Sequence, residues 1–322
     1  MTSATARPAP SPVAVAAALG IVYVVWGSTY LGIAVMVRTL PPLVAAGFRY
    51  ALSGAILLVA IAVWRRMRGE PGLRLTRPQF RSVVIIGTLL LLGGNGGVVL
   101  GEQFIASGIA ALIIATTPIW LALFEALAGG HRPGGLAIAG LIAGTVGVAI
   151  LVVPLEGSPP INVIGIALVG SAAITWSVGS IYSRRAPLPH SSFEGAGFQM
   201  LVGGSVMLVV GILTGELSAI DTSTFSTESV IALGYLILFG SILTFPTYIW
   251  LVNHTPVSVF STTAYVNPIV AVTLGVLILN EPMTPRMWLA AAIILGAVVA
   301  MVSGRPRAVS EAEPVVEPES AT

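Results

Sequence analysis

The chain has 322 residues, of which 56% are hydrophobic and only 9% charged, with a mean hydropathy of +0.96 and a formal net charge of +2. A soluble domain carries about 25% charged residues, so the composition excludes a water-soluble fold, and so small a net charge gives no reason to expect nucleic acid as a partner. All fifteen basic residues are arginine and cysteine is absent, which excludes a lysine-dependent phosphate loop, a Schiff base, a disulfide and a thiolate metal site.

A bilayer core of about 30 Å takes roughly 20 apolar residues per helix. Ten segments meet that length: 13–36, 41–64, 81–100, 107–128, 134–153, 161–182, 193–213, 229–251, 257–279 and 286–303. Clusters such as Arg65-Arg66-Met67-Arg68-Gly69-Glu70-Pro71-Gly72 separate them. The first segment is too long for the apolar region of a signal peptide and leads into further spans, so it is expected to stay in the protein. The expected fold is an all-α membrane protein whose partner is the lipid bilayer.

Taken in chain order, the first helix carries Trp26 and, one turn on, Tyr30. Both lie deeper than the interfacial aromatic belt, and an aromatic wall suits a small organic substrate as well as it suits helix packing. The second helix carries Arg49 about 12 Å from its start at 1.5 Å per residue. A charge at that depth faces a cavity or a partner. It either holds a substrate carboxylate in its planar fork or braces neighbouring carbonyls. The third helix holds Gly93-Gly94-Asn95-Gly96-Gly97, which lacks the lysine of a phosphate cradle, and Asn95 is a cavity candidate.

Glu102 is placed at the outer mouth and Glu125 about a turn from the cytoplasmic end. Each is a proton site if burial raises its pKa, or a carboxylate that simply snorkels to water. Pro118 and Pro268 fall about 16 Å into their helices, as kinks or gates beside Thr116, Thr117 and Asn267. Trp176 and Gln199 complete the cavity set. His131, His190 and His254 are too scattered for a metal, and no cofactor is called for. Gly140-x-x-x-Gly144 and Ala292-x-x-x-Gly296-x-x-x-Ala300 allow close helix approach, either inside one bundle or across a homodimer face.

With the N-terminus inside, twelve arginines fall on cytoplasmic segments and two, Arg38 and Arg286, on external loops. By the positive-inside rule both termini are cytoplasmic. A shift of 150 residues aligns Trp26 with Trp176, Gly47-Phe48 with Gly197-Phe198, Gly54 with Gly204, Arg49 with Gln199 and Pro118-Ile119 with Pro268-Ile269. Each repeat has five helices, an odd number, so the second half is inverted. Inverted halves place a substrate site near the midplane and give alternating access. The organisation expected is a tail at 1–12, a first five-helix repeat at 13–153, a loop at 154–160, a second repeat at 161–303 and a disordered tail at 304–322.

The runs Trp26-Gly27-Ser28-Thr29-Tyr30, Pro41-Pro42 with Gly47-Phe48-Arg49, Gly94-Asn95-Gly96, Glu102-Gln103 with Ser107-Gly108-Ile109-Ala110-Ala111, and Ala264-Tyr265-Val266-Asn267-Pro268 resemble the drug/metabolite transporter superfamily. Within it they look like the EamA family and its YedA-like subgroup. The resemblance covers about 13–303 and implies an inner-membrane carrier that exports amino acids or related small metabolites. It departs from the family pattern at His131, where an acidic residue matching Glu281 is expected. The expected function is secondary transport of a small molecule, with a lipid flippase of the same fold as the rival within transport. An intramembrane enzyme lacks any assembled catalytic set, and a scaffold gives the inverted halves no purpose.

Overall fold

A computed structural model describes residues 11–127, 135–152, 162–189, 191–218, 221–255, 259 and 262–303. His131, His190, the inter-repeat loop at 154–160 and the C-terminal tail lie outside the described residues, as do the side chains of His254 and Tyr265. Every regular element among the described residues is helical.

The first half comprises α1 (Pro12–Met36), α2 (Pro42–Met67), α3 (Arg77–Gly87) continuing through a π-helical stretch Thr88–Gly96 into α4 (Gly97–Gly101), then α5 (Ser107–Ile114), α6 (Thr117–Leu127) and α7 (Gly135–Val152). The second comprises α8 (Val163–Arg185), α9 (Ser192–Leu213), α10 (Thr227–Tyr235) continuing through a π-helical stretch Leu236–Leu243 into α11 (Thr244–His254), then α12 (Thr263–Leu279) and α13 (Pro285–Ser303). Seven helical runs are long and apolar enough to cross a membrane, and the shorter apolar helices 138–150, 266–279 and 285–300 accompany them.

Local chemistry sets the helix starts. Ser11 accepts from the Ala14 N–H, and Pro12 occupies the first turn, where its missing N–H costs nothing. Thr76 and Gln79 form a reciprocal capping box, and Asn162 accepts from Ile164 and Gly165. Inside the fourth segment the helix breaks after Ile114. Pro118 has no N–H to continue the ladder, and the Thr116 and Thr117 hydroxyls take over the carbonyls of Ile113 and Ile114, each at 2.6 Å. The expected kink is thus two short helices rather than one bent one, whereas Pro268 lies inside the continuous α12.

Helix α2 packs against α9, α7 against α13, α1 against α12 and the first π-helical stretch against α8. The α2–α9 seam is antiparallel, with main chain close on main chain at Gly47, Gly54 and Gly204, while Leu58 packs on Gly197 and Leu43 and Val44 on Gly211. A Cβ on Gly54 would meet the Leu201 amide at 2.4 Å and the Gly197 carbonyl at 2.7 Å; one on Gly204 would meet the Ala51 amide at 2.4 Å and the Gly47 carbonyl at 2.9 Å. Glycines related by the 150-residue shift therefore cross over, 47 onto 204 and 54 onto 197. The same does not hold for Gly20 and Gly170, which have open space beside them.

Both ends of the seam are fastened. At one end the Glu216 carboxylate accepts from the Leu43 and Val44 amides at 3.1 and 2.8 Å, an anion on the positive end of a helix. At the other, Arg65 pairs with the buried Glu194. Gly144 packs on Ile119 and Gly147 on Ile294, so small residues of α7 serve packing inside the chain, while Gly296 is open.

Candidate functional site: a buried polar relay between the two halves

The π-helical stretches sit in the third segment of each half, and each accepts a tryptophan from the other half. Trp26 donates from Nε1 to the Gly240 carbonyl at 3.2 Å and packs on Tyr248 with ring centroids 4.7 Å apart and planes tilted by 41°. Trp176 lies against Gly94, where a Cβ would meet its ring at 2.8 Å. A π-helical turn widens the ladder and leaves carbonyls short of partners. Here side chains return to them. Asn95 Nδ2 donates to the Leu90 carbonyl at 3.2 Å and the Thr244 hydroxyl to the Phe239 carbonyl at 2.7 Å, both five residues back.

Arg49 is 3% exposed. Its Nε donates to Ser241 Oγ at 3.0 Å, and its Cζ lies 4.5 Å from the centre of the Tyr50 ring. Among the described residues no carboxylate pairs with it. Gly240 makes the room for this guanidinium, since a Cβ there would lie 3.0 Å from Nη2. Tyr50 then donates from its hydroxyl to Asn95 Oδ1 at 2.7 Å. Trp26, Gly240, Ser241, Arg49, Tyr50, Asn95, Gly94 and Trp176 thus form one relay across the molecule, with both halves contributing.

The other predicted residues are more dispersed. Tyr30 packs on the main core and is in electrostatic reach of Tyr50 and Glu102. Asn267 lies where α12 approaches Gly27 of α1, its carbonyl 3.0 Å from a Cβ at that glycine, and its buried Oδ1 has no hydrogen-bond partner. Gln199 is part-buried. Its carbonyl abuts Gly87 of α3 at 2.9 Å from a Cβ there, and no hydrogen bond joins it to Arg49 among the described residues. Glu125 pairs with Arg184 at 3.3 Å, both about half exposed. Glu102 is 7% exposed and neither of its carboxylate oxygens has a hydrogen-bond partner.

Sequence reasoning missed Tyr50, Gly240, Ser241 and Thr244. The one available signal for Tyr50 was its place beside Arg49. Nothing in composition marks Ser241 as the residue opposite it.

Seven helices long and apolar enough to cross a membrane mark an integral, multi-pass membrane protein. The model of the EamA-like transporter family matches residues 14–153 and again 163–303. The chain is 36% identical to the uncharacterized inner membrane transporter YedA of Escherichia coli (strain K12), over 94% of each chain. It is 25% identical to the uncharacterized transporter YoaV of Bacillus subtilis (strain 168), over 86% of this chain and 93% of that one. A solved crystal structure shares the fold with a TM-score of 0.60 at 21% identity, covering 90% of this chain and 98% of the other. The protein belongs to the EamA-like transporter family.

Proposed function

We propose that the protein is a secondary transporter that exports amino acids or related small metabolites across the inner (plasma) membrane. Ten spans, both termini cytoplasmic, would form two inverted five-helix halves working by alternating access. The observation that carries this reading is Arg49: a fully charged fork, buried between the halves, held at Nε by Ser241 and lacking a carboxylate partner among the described residues. A substrate carboxylate supplies the missing anion, and Trp26 and Trp176 at the ends of the relay supply apolar walls. The crossed glycines of the α2–α9 seam support the inverted duplication, because a two-fold relation pairs 47 with 204 and 54 with 197.

The test is flux of labelled amino acids in proteoliposomes. Arg49→Gln is expected to cut flux at least tenfold while protein yield and melting stay normal; Arg49→Lys, which keeps charge but loses the fork, is expected to fall between. Unchanged flux in Arg49→Gln, or movement of labelled lipid without any amino acid, overturns the reading. Lost yield with no separate flux defect would make Arg49 a brace.

A further inference from the structure

A second polar feature stands apart from the relay. At the end of the bundle where α1 and α4 finish and α5 begins, a cavity of about 450 Å³ is lined by Arg38, Glu102, Gln103, Ser107 and Glu281 among others. The two carboxylates in it are in different situations. Asn280 takes a left-handed conformation (φ 54°) that turns the chain back after α12. Glu281 is thereby brought onto the start of α5, where it accepts from the Ser107 and Gly108 amides at 2.8 and 3.2 Å. Those two donors give each of its carboxylate oxygens a hydrogen bond.

Glu102, one residue past the span Arg77–Gly101, has no such support. It is more than nine-tenths buried and lines the cavity, and both its oxygens lack partners, as does Ser107 Oγ. The groups around it are Tyr30 of α1, which in turn reaches Tyr50 of α2, Arg38 just beyond α1, and Glu281. Tyr50 already donates to Asn95, and no ion pair joins Arg38 to Glu102 among the described residues. On the α8 side, the adjoining Gly101 lies against Gly165 and Val169. An ionised carboxylate buried without a donor or a counter-charge neutralises by taking a proton.

We propose that Glu102 is a proton-binding site at the mouth of this cavity: its carboxyl is protonated while packed, and it gives the proton to cavity water when the mouth opens. Burial, and after it the neighbouring Glu281 charge, pushes this carboxyl well above the usual carboxylate range. The site itself stands on the geometry. Its use as the proton of an exchange cycle rests on the alternating-access reading above.

Infrared spectra of the full chain in phosphatidylcholine–phosphatidylglycerol vesicles test it. A protonated-carboxyl stretch is expected to persist to neutral pH, to vanish on alkalinisation and to be missing in Glu102→Gln, which mimics the protonated form and is expected to fold. Glu281→Gln removes a neighbouring negative charge and is expected to move the transition toward acid. A wild-type band that is absent at neutral pH, or one that survives Glu102→Gln, overturns the proposal. Amino-acid flux in the same vesicles separates the two readings: a band without flux leaves the proton site standing and removes the export reading, whereas flux without a band does the reverse.

Discussion

At the residue scale, Arg49 and Glu102, two of the buried ionisable side chains, would divide the work between substrate and proton in the proposed cycle. Arg49 cannot lose its charge in any accessible pH range, so its burial is offset by Ser241, by the Tyr50 ring and, in the proposed cycle, by a ligand anion. Glu102 can neutralise, and this gives stability a pH dependence of definite sign. With the Glu102 carboxyl pushed well above the usual range by burial and the Glu281 charge, the folded chain is expected to keep a proton that the unfolded chain releases above the ordinary glutamate range. The contribution is therefore complete at acid pH and is lost as pH rises through the raised folded value. Melting temperature in detergent is expected to decline across that window, and Glu102→Gln to flatten the decline; a wild-type curve no steeper than that of the variant would count against it. The sequence marked both residues because a charge in an apolar segment is conspicuous. It did not mark their partners, since Ser241 lies 192 residues from Arg49 and an ordinary serine carries no sign of what it faces.

At the element scale, hydropathy located the helices to within a few residues at most ends, from 13–36 against Pro12–Met36 to 193–213 against Ser192–Leu213. The π-helical stretches were invisible, because one extra residue per turn leaves no compositional trace, and the polar contacts of the relay depend on them. The repeat offset identified the seam glycines without saying which pairs touch. Their energetics separate cleanly. Gly204→Ala forces a Cβ into the Ala51 backbone and is expected to cost about 1–3 kcal/mol, the usual range for overpacking. Gly170→Ala, with open space beside it, gains about 0.5–1 kcal/mol from helix propensity. Thermal melts of the two variants check this, and equal shifts would mean that the seam is not tight in the membrane. Asn95→Ala removes both the Tyr50 and the Leu90 hydrogen bonds, and is expected to lower flux more than it lowers yield.

At the scale of the whole molecule, the ends of the bundle differ in chemistry. One carries the helix-capping carboxylates Glu216 and Glu281 and the Glu102 cavity; the other carries Arg65, Arg184 and their acidic partners. Because the chain has no cysteine, each introduced thiol is the sole target for a membrane-impermeant reagent. Gly72→Cys and Pro187→Cys, both at exposed positions, are expected to stay unlabelled from outside intact cells, whereas Gln103→Cys and Ser218→Cys, also exposed, label readily. Labelling of 72 and 187 from opposite faces would refute the inverted topology.

The backbone-on-backbone contacts at Gly47, Gly54 and Gly204 also bear on how such a molecule can move. Where main chain lies directly on main chain, no rotamers are left to exchange, so a sliding step would have to break the contact before remaking it. Tethered at its two extremities as well, the α2–α9 pair is expected to act as a fulcrum in the proposed cycle, the surrounding helices tipping about it rather than gliding along it. A covalent staple placed across this pair should leave cycling intact, while one between α1 and α12 should arrest it.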